Sequence, residues 1–484
     1  MDKNRQKQLG AFYTPQHTVE YMVNKFVKSF TSKSNLLEPS GGDGAFVSKI
    51  LEKRLLSPQQ ITVWDINPET NKIITKLGIE NIVIKDTLLE TSLSNSLFNE
   101  KQEFSHIIGN PPYLNKQSGY IKKNKGELKK IYKEIGANDT YAMFLYLSCR
   151  LLKIYGELCF IISDTFLTLG IHKNLRKFLL TSYTINEITI CPKNLFKDTG
   201  ASVNTCIIYL KNKKPDKNHF VVFNDCRNNQ VADYSGIKKR INQREILNNP
   251  DYIFGFNGNV TILNKMKVFP KLVDFLNGGL GMHTTNNKAF LGVIDYRGRQ
   301  FGNGGLQKIP IEVIKASGDW KFYHKKGGDI KYFSPVEYCI KWDKQSIKNY
   351  KISKNLNLES NKDGFIISGI CSSLSARIAE RGALWESNKA MCFFPKDPLK
   401  YPPEFFVGIL NSNIYNKIIK LLNHTNSIQI RDIKKLPMPN FKVQEIKIIA
   451  SISENIIKNI KKDLNYNFER EQKEINKIVS AYFN

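Results

Sequence analysis

Short apolar runs alternate with stretches of helical periodicity through the first half of the chain. Runs rich in β-branched and aliphatic residues predict strands, while apolar positions at steps of three and four predict amphipathic helices. The alternation predicts a doubly wound, Rossmann-like α/β sheet with ligand sites at the carboxyl ends of its strands. The predicted elements are strands at Leu36 to Glu38, Ile61 to Asp65, Ile82 to Ile84, His106 to Gly109, Leu158 to Ile162 and Cys206 to Leu210, and a crossover helix at Asp139 to Lys153.

The pattern changes beyond about Lys211, where clusters of Asn, Lys and Asp give way to scattered aromatic residues and Gly-Gly pairs. Loss of the strand and helix alternation indicates a second domain of different construction. We predict a first domain at residues 1–245, a mixed α+β domain at 251–440, and a helical segment at 441–484. The last segment has an isoleucine stripe at helical spacing, typical of a packing face, made of Ile446, Ile449, Ile452, Ile456 and Ile460.

The charge of the chain favours nucleic acid as a partner. Its 72 Lys and Arg against 44 Asp and Glu give a net charge of +28, which raises affinity for polyphosphates whatever the fold. A generally lysine-rich proteome would produce the same excess without any partner. The eight cysteines show no C-x-x-C spacing, so neither a metal site nor a disulfide framework is predicted. No apolar run reaches membrane-spanning length, and we expect a cytoplasmic, monomeric protein without a membrane partner.

The most informative motif is Asn110-Pro111-Pro112-Tyr113, which directly follows a predicted strand. An exocyclic amine is a poor nucleophile because its lone pair is delocalised into the ring. The Asn110 side-chain oxygen and the Pro111 carbonyl could accept both amine hydrogens and turn the lone pair toward a methyl donor. Successive prolines fix φ and hold that carbonyl in place, and Tyr113 offers an aromatic face to an unstacked base. A plain Pro-Pro turn is the alternative.

A glycine-rich loop from Glu38 to Gly44 lies upstream and follows the first predicted strand. Such a loop lets the backbone approach a ligand closely and opens the next helix. The acids Glu38 and Asp43 disfavour a pyrophosphate and suit the cationic sulfonium and amino groups of S-adenosylmethionine. Glu38, Ser40 and Gly41 are therefore predicted cofactor contacts, although an ordinary glycine turn would have the same composition.

Two further acids end the second and third predicted strands. Asp65, followed by Ile66, has the place of an acid that binds ribose hydroxyls in Rossmann-like sheets. Asp86, followed by Thr87, could accept a hydrogen bond from the adenine amino group of the cofactor. Either aspartate could instead cap the helix that follows it.

These motifs, together with Gly10-Ala11-Phe12-Tyr13-Thr14-Pro15, stand in an order that resembles the gamma-class, TaqI-type N6-adenine DNA methyltransferases. The resemblance implies a class I S-adenosylmethionine-dependent methyltransferase sheet that acts on a flipped base. It also implies that Tyr13, Thr14 and Pro15 cover the methionine part of the cofactor beside Asn110. Phe196 matches the position of a second aromatic wall for the base, opposite Tyr113, with a simple core position as the alternative.

The second domain resembles the target recognition domains of the same family. Double-stranded DNA is the implied partner, and a separate cognate restriction endonuclease is a candidate second partner. Each basic stretch could equally be a solvated charge run, and the one that follows the catalytic motif is predicted to be a DNA-facing loop. The predicted DNA contacts are Lys116, Lys122, Lys123, Thr285, Asn286, Lys321, Lys325, Lys326 and Lys331.

The function that follows from the resemblance is site-specific adenine N6-methylation of DNA, in restriction-modification or phage defence. Protein glutamine and ribosomal RNA methyltransferases share the Asn-Pro-Pro-Tyr motif and remain the alternative. They typically lack the N-terminal motif and so large a second domain. A non-catalytic DNA-binding module is a further alternative. A nuclease within the chain is not predicted, because no convincing constellation of Pro-Asp followed by Glu-x-Lys is found.

Overall fold

The computed structural model describes residues 12–90, 104–197, 203–255, 260–296, 305–316, 318–327, 330–353, 361–423 and 426–483. The chain forms two compact units, Met1–Asn259 and Val260–Asn484. Asp251, where we predicted the second domain to begin, lies in the first unit. Its carbonyl accepts hydrogen bonds from Nε and Nη2 of Arg176 at 3.1 and 2.9 Å, and Phe254 is buried in the core of that unit.

The first unit is built on one mixed sheet, and its described part contains nine strands. Their order is β3-β2-β1-β4-β5-β7-β6-β8-β9. Neighbours from β1 to β5 are parallel, while β7 runs antiparallel to both β5 and β6. This is the arrangement of a class I methyltransferase sheet, so the predicted fold class is confirmed. The strands are β1 (Leu36–Glu38), β2 (Ile61–Asp65), β3 (Asn81–Ile84), β4 (Phe104–Gly109), β5 (Leu152–Ser163), β6 (Thr184–Ile190), β7 (Thr205–Lys211), β8 (Phe220–Asp225) and β9 (Ile237–Asn242).

Eight α-helices are described in this unit, and the predicted crossover helix is confirmed as the sixth. That helix is buried along nearly its whole length, because it packs beneath the sheet rather than along its rim. The helices are α1 (Gln16–Val23), α2 (Ala45–Glu52), α3 (Glu69–Thr75), α4 (Gly119–Lys123), α5 (Lys125–Ile131), α6 (Thr140–Leu151), α7 (Lys173–Ser182) and α8 (Gln243–Leu247).

The sheet has strands beyond those predicted, and one local expectation for this unit is wrong. Past Lys211 the sheet continues through β8 and β9, where β9 is an exposed, basic edge strand without the apolar pattern of a buried one. The basic stretch after the catalytic motif is helical rather than a loop, forming α4 and α5. Ile121, Leu128 and Tyr132 anchor it in the core, so apolar residues spaced between the lysines decide its structure.

The second unit has mixed α+β construction, as predicted. Its described sheets have the strand orders β10-β20-β17-β18, β11-β16 and β13-β12-β15-β14-β19. The strands are β10 (Leu276–Gly279), β11 (Met282–Thr284), β12 (Leu291–Asp295), β13 (Gln307–Pro310), β14 (Trp320–His324), β15 (Tyr338–Lys341), β16 (Tyr350–Ile352), β17 (Phe365–Ser368), β18 (Ala376–Ile378), β19 (Leu384–Trp385) and β20 (Ala390–Pro395). The helices are α9 (Val260–Val268), α10 (Asn287–Phe290), α11 (Ile311–Ala316), α12 (Lys344–Ile347), α13 (Pro403–Leu410), α14 (Asn413–Leu422), α15 (Ile430–Ile433), α16 (Val443–Lys462) and α17 (Glu469–Ser480).

The helical segment predicted at 441–484 is part of the second unit. Ile446, Ile449, Ile456 and Ile460 are buried along α16, as expected of a packing face. A Cβ built on Gly408 of α13 would lie 2.6 Å from Cγ2 of Ile449. The two helices therefore meet at a distance that only glycine permits, and the stripe joins the core. None of the helices in the described residues is long and apolar enough to cross a membrane.

Candidate cofactor and target-base site

A cleft of about 970 Å³, counting its open mouth, lies at the carboxyl ends of β1, β2 and β4. Ligands of doubly wound sheets bind at this edge because loops from neighbouring strands converge there. The lining combines carboxylates, small loop residues and apolar side chains, and includes Tyr13, Thr14, Glu38, Ser40, Gly41, Asp65, Ile66, Asp86, Thr87, Asn110 and Pro112. Every predicted cofactor residue except Pro15 is among them.

The glycine loop is shaped by two glycines that no other residue could replace without strain. The Gly41 amide donates to the Trp64 carbonyl at 2.9 Å, and a Cβ at this position would lie 2.3 Å from Cγ1 of Val63. Gly44 begins α2 with φ 74°, in the left-handed region. Gly41 thus lies close against β2, and the loop residues Ser40 to Asp43 line the cleft.

The floor of the cleft is acidic. Glu38 is 2% exposed, and its Oε2 is a buried atom without a hydrogen-bond partner among the described residues. Burial raises the pKa of the Glu38 carboxyl well above its usual range, and the nearby carboxylates of Asp43 and Asp65 raise it further. Three acids held this close are stabilised by a cation or by hydrogen-bond donors, not by an anion.

Glu38→Gln should stabilise the free protein and weaken its cofactor binding. Because the pKa of the folded-state carboxyl is raised, Glu38 lowers stability progressively as pH rises from about 4.3 through that folded pKa. The amide removes this cost, so the melting temperature should rise at pH 8 and differ little at pH 4.5. Cofactor affinity should fall by roughly 1–3 kcal/mol, the range for a charge-assisted hydrogen bond. Scanning calorimetry at both pH values and titration calorimetry measure the two effects, and unchanged affinity would contradict the assignment.

Backbone amides contact both carboxylate oxygens of Asp65. Oδ2 accepts from the Gly42 amide of the glycine loop at 2.7 Å, and Oδ1 accepts from the Asn67 amide at 2.7 Å. Asp65 does not cap the helix that follows, because α3 has Pro68 at its N-cap and no side-chain cap hydrogen bond. Further lone pairs can still accept from hydroxyl groups because Asp65 lines the cleft. The neighbouring Ile66 is 47% exposed. An exposed apolar side chain in a cleft can pack against a flat aromatic ring of a ligand.

The Asp86 carboxylate accepts more hydrogen bonds than its position at the end of a strand predicts. Its Oδ1 accepts from the Leu88 and Leu89 amides, at 3.1 and 3.3 Å, and from the Tyr120 hydroxyl at 2.9 Å. Tyr120, on α4, also lines the cleft. Asp86 thus caps the following turn, and an amino group bound at this carboxylate shares it with Tyr120. The Thr87 hydroxyl donates to the Pro39 carbonyl at 3.0 Å.

The N-terminal motif reaches the cleft through Phe12, Tyr13 and Thr14. Pro15 instead lies at the start of α1, where its carbonyl accepts from the Thr18 and Val19 amides at 2.9 and 3.0 Å. Pro15 therefore begins the helix and does not line the cleft. Gly10 and Ala11 lie outside the described residues.

The Asn110 side chain is held by the N-terminal motif. Nδ2 donates to the Phe12 carbonyl at 2.8 Å and to Oγ1 of Thr14 at 3.0 Å. Oδ1 is buried and has no partner among the described residues. An unpaired buried acceptor is costly to maintain, so this oxygen indicates a place for a ligand that donates a hydrogen bond.

The rest of the motif from Asn110 to Tyr113 is held by several hydrogen bonds. The Thr140 hydroxyl donates to the Pro112 carbonyl and accepts from the Leu114 amide at 2.9 Å. The Tyr113 hydroxyl donates to the Ile161 carbonyl at 3.1 Å, and Pro111 is buried. The plain Pro-Pro turn is thereby tied to α6 and β5, which fixes the Asn110 backbone as well.

Three aromatic rings are in contact at this site, whereas the sequence predicts two, one on each side of the base. The Phe12 ring centroid lies 6.1 Å from that of Tyr113 and 6.4 Å from that of Phe196. Phe196 is 0% exposed and packs in the hydrophobic core between α1, α2 and the sheet. Phe196 therefore lies in the hydrophobic core, as the alternative interpretation predicted. Since Phe12 contacts both rings, a base between Tyr113 and Phe196 requires Phe12 to move or to form one wall itself.

Phe196→Ala should lower the free energy of unfolding by about 3–5 kcal/mol, the usual cost of replacing a fully buried phenylalanine with alanine. Phe196→Leu keeps most of the volume and should cost less than about 1.5 kcal/mol. Urea unfolding followed by tryptophan fluorescence measures both changes. If the alanine variant keeps its stability but loses its reaction rate, Phe196 acts as a pocket wall instead.

The predicted DNA contacts are divided between the two units. Lys116, Lys122 and Lys123 are exposed on and before α4, and Thr285, Asn286 and Lys326 are exposed in the second unit. Nζ of Lys321 lies 5.4 Å from the Trp342 ring centroid, and Nζ of Lys325 lies 4.8 Å from that of Tyr338. Lys331 differs, because its ammonium donates to the Asn411 carbonyl at 3.4 Å and burial lowers its pKa. The ammonium of this lysine therefore contacts its own unit.

Several cleft residues were not predicted from the sequence. Phe12 belongs to the N-terminal motif, in which the resemblance implies roles only for Tyr13, Thr14 and Pro15. Tyr120, Thr140 and Phe144 come from α4 and α6 and line the same cleft. Phe144 lies within the helical apolar spacing of α6, which by itself indicates only a core position.

Comparison with known proteins agrees with this geometry. Residues 43–196 match the family model described as Eco57I restriction-modification methylase. The type II methyltransferase M.HincII of Haemophilus influenzae is 29% identical over 228 residues, which cover 45% of this chain and 40% of that protein. The modification methylase CviBIII of Paramecium bursaria Chlorella virus NC1A is 31% identical over 219 residues, covering 44% and 52% respectively. The chain therefore spans about half the length of the curated relatives it matches.

One solved structure resembles both units in fold. The type IIL restriction-modification enzyme MmeI, solved in complex with DNA, aligns with 100% of this chain and 77% of that chain. The TM-score is 0.62 at 13% sequence identity, a likeness of fold alone. In sequence, this chain is thus similar to the Eco57I restriction-modification methylase family over residues 43–196 and to the type II methyltransferase M.HincII over 45% of its length.

Proposed function

We propose that this chain transfers a methyl group from S-adenosylmethionine to the N6 amino nitrogen of an adenine flipped out of double-stranded DNA. The observation that carries the proposal is the buried Oδ1 of Asn110, which has no partner among the described residues and belongs to a residue that lines the acidic cleft. An acceptor fixed there suits an amine donor. The similar proteins are named as a type II methyltransferase and a modification methylase.

The cleft fits S-adenosylmethionine in its charge and shape. The acids Glu38, Asp43 and Asp65 favour a cationic ligand, and the exposed Ile66 offers an apolar face. Glu38 would hold the cationic methionine part, Asp65 the ribose hydroxyls, and Asp86 the adenine side. The bound cofactor supplies an electrophilic methyl carbon, and as the N–C bond forms the sulfur keeps the electrons of the broken S–C bond.

The chain's own contribution is orientation and stacking. Oδ1 of Asn110 and the Pro111 carbonyl accept the two hydrogens of the target amine, which turns its lone pair toward the methyl carbon. The nitrogen then loses one proton to water. Tyr113 stacks on the flipped base and offsets the cost of removing it from the duplex. The second unit reads the DNA sequence, with Thr285, Asn286, Lys321, Lys325 and Lys326 as its expected contacts.

Sequencing DNA from cells that express the chain, with a method that reports modified bases, tests the proposal. The expected result is N6-methyladenine within one defined sequence, absent when Asn110→Ala is expressed. Methylation of a protein glutamine or of ribosomal RNA by the purified chain, with DNA unmodified, would contradict it and favour the alternative that shares Asn-Pro-Pro-Tyr. A separate restriction endonuclease would be expected to cut the same sequence when it is unmodified.

A further inference from the structure

The geometry around Asn110 assigns a second role to the N-terminal motif. We propose that Thr14 is a positioning residue that, with the Phe12 carbonyl, holds the Asn110 amide in the one orientation that presents its oxygen to the target amine. The inference rests on the proposed function, and it concerns contacts within this chain that can be measured without methyl transfer.

Both hydrogens of the Asn110 amide are used by the N-terminal motif. One contact is Nδ2 to the Phe12 carbonyl at 2.8 Å, and the other is Nδ2 to Oγ1 of Thr14 at 3.0 Å. An amide nitrogen carries two hydrogens and no available lone pair. Oδ1 is left as the only hydrogen-bonding atom of the side chain without a partner in the described residues.

The orientation matters because an amide is nearly symmetrical in shape but opposite in hydrogen-bonding character at its two ends. Rotating it by a half turn would present an NH₂ group, which cannot accept a hydrogen from the target amine. The rotated form would also place Oδ1 against the Phe12 carbonyl, where neither oxygen has a hydrogen to share. The Phe12 carbonyl therefore selects the productive form, and the Thr14 hydroxyl, which accepts the second amide hydrogen, holds that form in place.

Thr14 is itself rigidly placed. It is 7% exposed and immediately precedes Pro15, whose carbonyl starts α1. The Tyr21 hydroxyl, on α1, donates to Oε1 of Glu187 in β6 at 2.6 Å. The acceptor that meets Asn110 is thus fixed to the sheet through α1 and not through the cleft alone.

Thr14→Val keeps the shape of the side chain and removes the hydroxyl acceptor, while Thr14→Ser keeps it. At saturating cofactor and DNA, the single-turnover rate of the full chain should fall about 10-fold in the valine variant, equivalent to about 1.4 kcal/mol. The serine variant should stay within about 2-fold of the unmodified chain. The dissociation constant for S-adenosylmethionine should change by less than about 3-fold in either variant.

Thr18→Val is the matched control, because it removes a buried threonine hydroxyl from α1 that contacts Tyr234 at 2.7 Å and not Asn110. Its single-turnover rate should be unchanged within about 2-fold. If the loss in Thr14→Val disappears at saturating cofactor, Thr14 acts only on cofactor binding, and the positioning role is overturned. An equal loss in Thr18→Val would overturn it as well.

Hydrogen exchange of the Asn110 side-chain amide tests the same contact without methyl transfer. In chain labelled with ¹⁵N asparagine, its NH₂ signal is identified by its absence in Asn110→Ala. Its hydrogens should exchange at least about 10-fold more slowly than those of exposed asparagines, and Thr14→Val should remove much of that protection. Fast exchange in the unmodified chain would overturn the positioning role even if DNA is methylated. Protection that depends on Thr14, in a chain that methylates no DNA, would instead retain the contact by which Thr14 orients the Asn110 amide and reject the proposed function.

Discussion

Asn110→Ala should lose methyl transfer by about three orders of magnitude or more while binding the cofactor nearly as well. Orientation of the target amine is expected to supply roughly 4 kcal/mol or more of the barrier reduction. The alanine side chain removes Oδ1, the buried acceptor without a described partner, and leaves the acids of the cleft in place. Single-turnover rates with labelled cofactor and titration calorimetry measure the two quantities separately.

Asn115→Ala is the matched control for this substitution. Asn115 is exposed, follows the same motif, and accepts only a local backbone hydrogen bond through its side chain, from the Gln117 amide at 2.9 Å. Its rate should lie within about 2-fold of the unmodified chain. Turnover by Asn110→Ala above about a tenth of the normal rate would reject amine orientation as the main contribution of the motif.

A chain that ends at residue 259 should bind S-adenosylmethionine normally and lose sequence-selective methylation. The cleft and the catalytic motif lie entirely in the first unit, which has hydrophobic cores of its own. Its remaining affinity for DNA should be weak and steeply dependent on salt, because backbone contacts release counterions while base contacts specify sequence. Binding to several duplexes across a salt series, with base-resolved methylation, measures the change.

A shorter chain that ends at Arg244 provides the comparison. It lacks Phe254 and the Asp251 carbonyl that accepts from Arg176, so it should be less stable than the chain ending at 259. Both should be equally unselective if the second unit reads the sequence. Selective methylation by the chain ending at 259 would place recognition in the first unit and contradict the proposed division of labour.

Much of the first unit follows from local sequence. Strands inside the sheet are buried on both faces and carry continuous apolar residues, and this is why β1, β2, β4, β5 and β7 are visible as short apolar runs. The exposed edge strand β9 is basic and has no such run, although the edge strand β3 is also exposed and still has one. The helices α4 and α5 were not predicted either, because many lysines lie between their three buried residues, Ile121, Leu128 and Tyr132.

The chemistry of the site follows in part from the sequence. The motif Asn110 to Tyr113 and the acidic glycine loop are contiguous, so their residue types indicate an amine acceptor beside a cation site. The structure adds that Asp86 shares its carboxylate with Tyr120 and that Pro15 starts a helix rather than lining the cleft. Such competition between capping and ligand binding depends on which atoms meet, which residue type does not determine.

By itself the sequence determined the α/β sheet, the predicted place of the cofactor and the Asn110 to Tyr113 motif beside it, because each depends on residues adjacent along the chain or repeated at a fixed period. Only the tertiary structure decided the orientation of the Asn110 amide, since its partners Thr14 and Phe12 are separated from it by 96 and 98 residues. It also decided that Phe12 contacts both Tyr113 and Phe196. No local pattern encodes such contacts, because they are made when the helix after the N-terminal motif packs against the sheet and brings two distant loops to one edge.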